Sequence, residues 1–89
     1  MYKVFVRKSV LKRIKKAPKS VQILFDELIE DLERKGPLQY LWPNYSKLGK
    51  FKYHCHLCYS WVACWMCESK TMKIEVYYAG SRENAPYCS

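Results

Sequence analysis

The chain contains no apolar run approaching the roughly 18–20 residues that a membrane-spanning helix requires. Its opening residues, Met1-Tyr2-Lys3-Val4-Phe5-Val6-Arg7, lack the apolar core of an export signal. A soluble, cytoplasmic protein is the expectation. Internal repeats and low-complexity stretches are missing too. Acidic residues are scarce: 8 Asp and Glu stand against 16 Lys and Arg, for a formal net charge of +8. Most of those acids, Asp26, Glu27, Glu30, Asp31 and Glu33, fall in one predicted helix, and the rest of the chain is overwhelmingly basic. The separation predicts a solvated mixed-charge helix on one side and a cationic surface elsewhere. Such a surface attracts nucleic acid, anionic membranes or acidic proteins; the plain alternative is a surplus that serves solubility.

Without an export signal, the five cysteines do not imply a disulfide framework. Cys55-x2-Cys58 and Cys64-x2-Cys67 form a paired pattern that is often a zinc signal. Three features weaken it here. The five residues between the pairs are too few for the usual ribbon, and no glycine follows either pair. Both pairs also lie in strand-like sequence, where an offset of three sends two sulfurs to opposite faces. We therefore expect no metal and no cofactor, with Cys55 and Cys64 as small buried apolar groups. A zinc-stabilised domain is the alternative.

What is present suffices for one small domain spanning residues 1–89, with 49% hydrophobic residues. Tyr2–Arg7 reads as a strand. Ser9 can cap a short helix from Val10 to about Lys16, whose Lys12, Arg13, Lys15 and Lys16 make a basic face. Pro18 suits the first turn of a second helix. Along that helix Val21, Leu24, Phe25, Leu28 and Leu32 recur at helical spacing, and Gly36-Pro37 stops it. Leu41, Trp42 and Tyr45 are expected to pin the connector 37–50 to the core. Three strands follow, at about Lys52–Cys58, Trp61–Cys67 and Met72–Gly80. In the last, Ile74, Val76 and Tyr78 are expected on one face and Lys73, Glu75 and Tyr77 on the other. Early helices and a late meander argue for an α+β fold of order β-α-α-β-β-β, with an antiparallel sheet, two helices on one face, and the other face open.

The stretch Lys52-Tyr53-His54-Cys55-His56-Leu57-Cys58 holds both histidines of the chain. Strand alternation puts Lys52, His54 and His56 on one face, expected open to solvent, and Tyr53, Cys55 and Leu57 on the buried one. Two imidazoles beside a lysine suit proton transfer on an anionic substrate. A half-exposed polar strand face is the bland alternative. Lys47 and Lys50, leading into this strand, can flank a bound phosphate.

The order of elements, the basic first helix, the lead Lys47-Leu48-Gly49-Lys50 and the ending Tyr77-Tyr78-Ala79-Gly80-Ser81-Arg82-Glu83…Tyr87 together resemble the RelE/ParE superfamily of bacterial and archaeal toxin–antitoxin toxins. The resemblance runs over nearly the whole chain. It implies a metal-independent endoribonuclease that cuts messenger RNA, usually on the ribosome, and a cognate antitoxin as partner. His54 and His56 stand where RelE carries two lysines. Arg82 matches the arginine after the last strand, and Tyr87 the tyrosine near the C-terminus. The family's third-strand arginine falls near Val62, which cannot bind phosphate. On this reading His54 and His56 serve as base and acid for attack by the ribose 2′-OH. Arg82 stabilises the phosphate, and Tyr87 stacks on a base or orients the attacking oxygen. Lys47, Lys50 and Lys52 bind RNA. A ParE-like gyrase inhibitor and a non-catalytic RNA- or protein-binding module are alternatives on the same fold.

Overall fold

A computed structural model describes residues 1–68 and 70–86. The elements are β1 (Lys3–Val6), α1 (Lys8–Lys15), α2 (Lys19–Lys35), β2 (Ser46–Lys47), β3 (Lys52–His56), β4 (Trp61–Met66) and β5 (Lys73–Ser81). The expected α+β order is present, with one short strand added inside the connector. The five strands form a single sheet in the order β1-β5-β4-β3-β2. β2 to β5 are antiparallel neighbours, whereas β1 lies parallel to β5. The sheet is therefore mixed, because both helices sit between β1 and the rest of the sheet. A helical crossover returns the chain in the direction needed for a parallel pair.

Both helices bury one stripe against the same sheet face. Val10 and Ile14 from α1, and Val21, Phe25, Leu28 and Leu32 from α2, join Tyr53, Cys55, Ala63, Trp65, Ile74 and Val76 in the main core. α1 begins a little before Ser9, at an Arg7 N-cap with no side-chain cap. α2 ends as expected at Gly36, whose φ of +87° is a glycine conformation. A Cβ there would also lie 2.6 Å from the Tyr2 ring.

The connector is pinned, but not by all three apolar residues expected. Trp42 Nε1 donates to Asp31 Oδ2 at 2.8 Å, and that bond holds the Asp31 carboxyl below its ordinary pKa. Tyr45 stacks in a series with Tyr53 and Trp65. Leu41, by contrast, is 90% exposed. Leu41 comes just before the first anchor, Trp42, and its side chain stays in solvent.

One irregularity in β5 decides which side chains share a face. The register runs Cys64↔Tyr78 and then Trp65↔Val76, so Tyr77 is the extra residue of a β-bulge. Tyr78 consequently joins Val62, Cys64 and Ala85 in a second cluster, on the face away from the helices, while Ala79 enters the main core. This corrects the simple alternation expected for Ile74, Val76 and Tyr78. It also corrects the expectation of a fully open outer face. The turn after β5 folds back so that Ala85 is buried against that face, with its N–H donating to Arg82 O.

Candidate nucleic-acid interface

The outer face is built from the far side of β3, β4 and β5. His56 pairs with Val62, and Val62 with Gly80, so these three residues form one row across three strands. Adjacent strands lie about 4.8 Å apart, which puts His56 about 10 Å from Gly80. Arg82 follows two residues later, held by a 2.9 Å bond from its N–H to Ser60 O. Its guanidinium is exposed and lies 5.0 Å from the Tyr59 ring centroid. His56 and Arg82 thus share one end of the same face. They are close enough that the arginine's charge, after burial, lowers the pKa of His56.

The two histidines differ in their surroundings. Their ring centroids are 5.8 Å apart. His56 is partly exposed, and its Nδ1 meets the Asn44 amide at 3.4 Å, so the orientation of that amide sets the tautomer of the ring. Asn44 reaches it from a left-handed turn position, φ +53°, which asparagine tolerates. His54 is only 8% exposed. This corrects the expectation that both rings face solvent. β2 pairs along the outer side of β3, so His54 lies between Ser46 and Cys64 in the ladder, next to the second cluster. Its Nδ1 shares a 2.9 Å hydrogen bond with Ser46 Oγ. Burial, and secondarily the neighbouring His56, lower its pKa.

A group with a depressed basic pKa favours its neutral form in the fold. Stability should therefore be complete above the ordinary imidazole value of 6.5 and decline as pH falls through the lowered one. Denaturant titrations at a series of pH values should show this decline. His54→Asn, which does not titrate, should flatten it; equal slopes in the two proteins would refute the burial argument.

The lysines occupy other places. Lys47 pairs with Tyr53, so the register turns it to the face away from the histidines. Lys50 is exposed, with Nζ 5.5 Å from the Phe51 ring centroid. Lys52 begins β3, four residues and about 13 Å from His56. Its Nζ lies 5.8 Å from the Tyr77 ring centroid, which Arg7 also approaches at 5.6 Å. The outer face therefore carries a cation at Arg82 near His56 and another at Lys52 beside Tyr77, where Arg7 is already paired with Glu75 at 2.6 Å. Tyr87 lies outside the described residues.

Val62 is wholly buried in the second cluster, at the middle of the row. A cation nonetheless stands near that row, from a residue that sequence reasoning assigned only to a basic helix face. β1 covers β5 only along Lys73–Val76, so the remainder of β5 is a sheet edge along which α1 packs. Arg13 reaches round this edge, its guanidinium 5.1 Å from the Tyr78 ring centroid. A Cβ on Gly80 would stand 3.3 Å from Arg13 Nη1 and 2.8 Å from Tyr78 Oη, so the glycine leaves room for both. No pattern in the linear sequence signals this placement, because it depends on how much of β5 the first strand leaves uncovered.

The cysteines are placed as the strand offset implies for one pair: Cys64 is in the outer cluster and Cys67 in the main core. Burial pushes the thiols of Cys55 and Cys64 up to about 12. Among the described residues no group of three or more His, Cys, Asp or Glu side chains is arranged to hold a metal.

No family model matches the sequence, and no curated protein does. Solved structures match in fold. The archaeal RelE–RelB complex from Pyrococcus horikoshii aligns with a TM-score of 0.73 at 21% identity, over 94% of this chain and 98% of that one. The YoeB dimer from Staphylococcus aureus gives 0.71 at 13% identity, over 91% and 97%. A copper-bound mutant toxin from Helicobacter pylori gives 0.70 at 22%, over 93% and 97%. The two helices and the mixed five-stranded sheet are therefore the fold seen in RelE- and YoeB-type toxins.

Proposed function

We propose that this chain is the toxin of a type II toxin–antitoxin pair, of the RelE/ParE superfamily, and that it cleaves messenger RNA in the cytoplasm. The observation that carries the reading is the juxtaposition of His56 and Arg82 at one end of a shared sheet face. The fold supports it, as does the association of RelE with RelB and of YoeB with YefM in the solved complexes, which makes a cognate antitoxin the expected partner.

The chemistry follows from the two side chains. Partial burial and Arg82 favour neutral His56, and with the Asn44 amide turned so that its oxygen accepts from Nδ1–H, Nε2 is the basic nitrogen that can accept the ribose 2′-OH proton. The freed oxygen attacks the adjacent phosphorus, and Arg82 binds the phosphate oxygens in its planar fork as their charge grows. The departing 5′ oxygen takes a proton from solvent in this open depression, leaving a 2′,3′-cyclic phosphate and a 5′-OH. His54 is too enclosed to meet the substrate directly; through Ser46 it fixes β2 beside β3 and so backs His56. Arg13, near Gly80, adds positive potential where the strand itself offers only Val62.

Burial of Val62 in place of a cation favours a second reading, a gyrase inhibitor or a binding module on the same fold. Induced expression in a bacterium, with RNA 5′ ends mapped on and off ribosomes, separates the two. The nuclease reading expects new 5′-OH ends inside coding sequence, concentrated on ribosome-bound messages. Growth arrest with intact RNA would sink it in favour of gyrase, and normal growth with intact RNA in favour of a binding module.

A further inference from the structure

Tyr59 has no place in the chemistry so far, yet it stands in the middle of it. The residue is 81% exposed, an unusual position for a large aromatic side chain. The loop that carries it is firmly closed: the N–H groups of Leu57 and Cys58 both donate to Trp61 O, at 2.8 and 3.3 Å. The bond from Arg82 N–H to Ser60 O ties the same loop to the end of β5. The ring borders two depressions. One is shared with Pro43, Asn44, His56 and Cys58, the other with Ser60, Ser81, Arg82 and Glu83. Tyr59 is thus the common wall between the histidine and the arginine. With the guanidinium over one face of the ring, the opposite face can receive a planar group.

We infer that Tyr59 is a stacking platform for the nucleobase next to the phosphate held by Arg82, in single-stranded RNA. The inference rests on the nuclease reading for the identity of the ligand. Every base offers a π-face, so the contact positions the strand without selecting its sequence. The phenolic oxygen has no part in it.

The test uses a fully 2′-O-methylated oligoribonucleotide, which lacks the attacking hydroxyl, and an abasic strand of the same length. Affinities are read by fluorescence anisotropy, beside cleavage of the unmodified RNA. Tyr59→Ala should weaken binding of the methylated strand by about 5–150-fold. Tyr59→Phe should bind like the wild type, and the abasic strand should not distinguish the three proteins. In cleavage, the Ala variant should raise KM more than it lowers kcat. Unchanged affinity in Tyr59→Ala overturns the inference. So does an equal loss on the abasic strand, which would mean that Tyr59 acts only by holding Arg82. If the wild type binds the methylated strand but cuts RNA neither free nor on ribosomes, the nuclease reading fails while the platform is judged by affinity alone. If it binds neither strand, both fail.

Discussion

His56→Ala should slow RNA cleavage by about 10²–10⁴-fold, the usual worth of a positioned acid–base group, with the fold intact. The ring is partly exposed at the end of β3, belongs to neither apolar cluster, and bonds only weakly with Asn44 at 3.4 Å. Its loss therefore leaves little behind to destabilise. The pH dependence supplies a second check. Because burial and Arg82 lower the pKa of His56, its neutral form should predominate at neutral pH. Cleavage should fall only as pH drops below the ordinary imidazole range, and His56→Ala should lose that limb of the profile. His54→Ala should behave differently, reducing stability through the vacated space and the lost Ser46 contact. Single-turnover cleavage measured alongside circular dichroism distinguishes the two variants. Undiminished cleavage by folded His56→Ala would remove the proposed chemistry.

Trp65→Ala should cost about 3–5 kcal/mol, the range for removing a large buried aromatic side chain. Small domains have roughly 5–15 kcal/mol of net stability in all. Trp65 is wholly buried, one residue from the end of β4. Its ring lies 6.2 Å from that of Tyr53 and 6.3 Å from that of Tyr45, in near-parallel stacks. Its Nε1 donates to Pro37 O at 3.1 Å, so one side chain joins the sheet, the connector and the end of α2. Trp65→Phe should retain much of the stack but leave that carbonyl without its donor, at about 1–3 kcal/mol. Urea titrations of the two variants should reproduce this order. An unchanged midpoint in Trp65→Ala would show that the core can close without it. Since Trp65 faces the helices and His56 the opposite side, the folded fraction of Trp65→Phe should cleave RNA at the wild-type rate.

Much of this architecture is legible from local pattern. Val21, Phe25, Leu28 and Leu32 announce α2 because helical spacing converts directly into one buried stripe. Gly36 announces its end because few residues other than glycine accept φ +87°. The histidine strand was readable for the same reason, since alternation places His54 and His56 on one face without knowledge of any neighbour. Exposure was not. Whether a strand residue is open depends on what pairs beside it, and the two-residue β2, too short to have a pattern, encloses His54. The bulge at Tyr77 was equally hidden, because it exists only in the register between β4 and β5.

The linear order of residues was enough to determine the element types, the two helices on one side of a sheet, the excess positive charge, and the shared face of the two imidazoles. These depend on interactions within a turn or two of chain, or on composition. Only the folded chain decided that one histidine is enclosed and the other available, that Arg82 stands by the available one, and that Arg13 and Tyr59 belong to the same neighbourhood. The reason is that those relations join residues far apart along the chain, through strand pairing and the closing of loops, where no local periodicity carries the information.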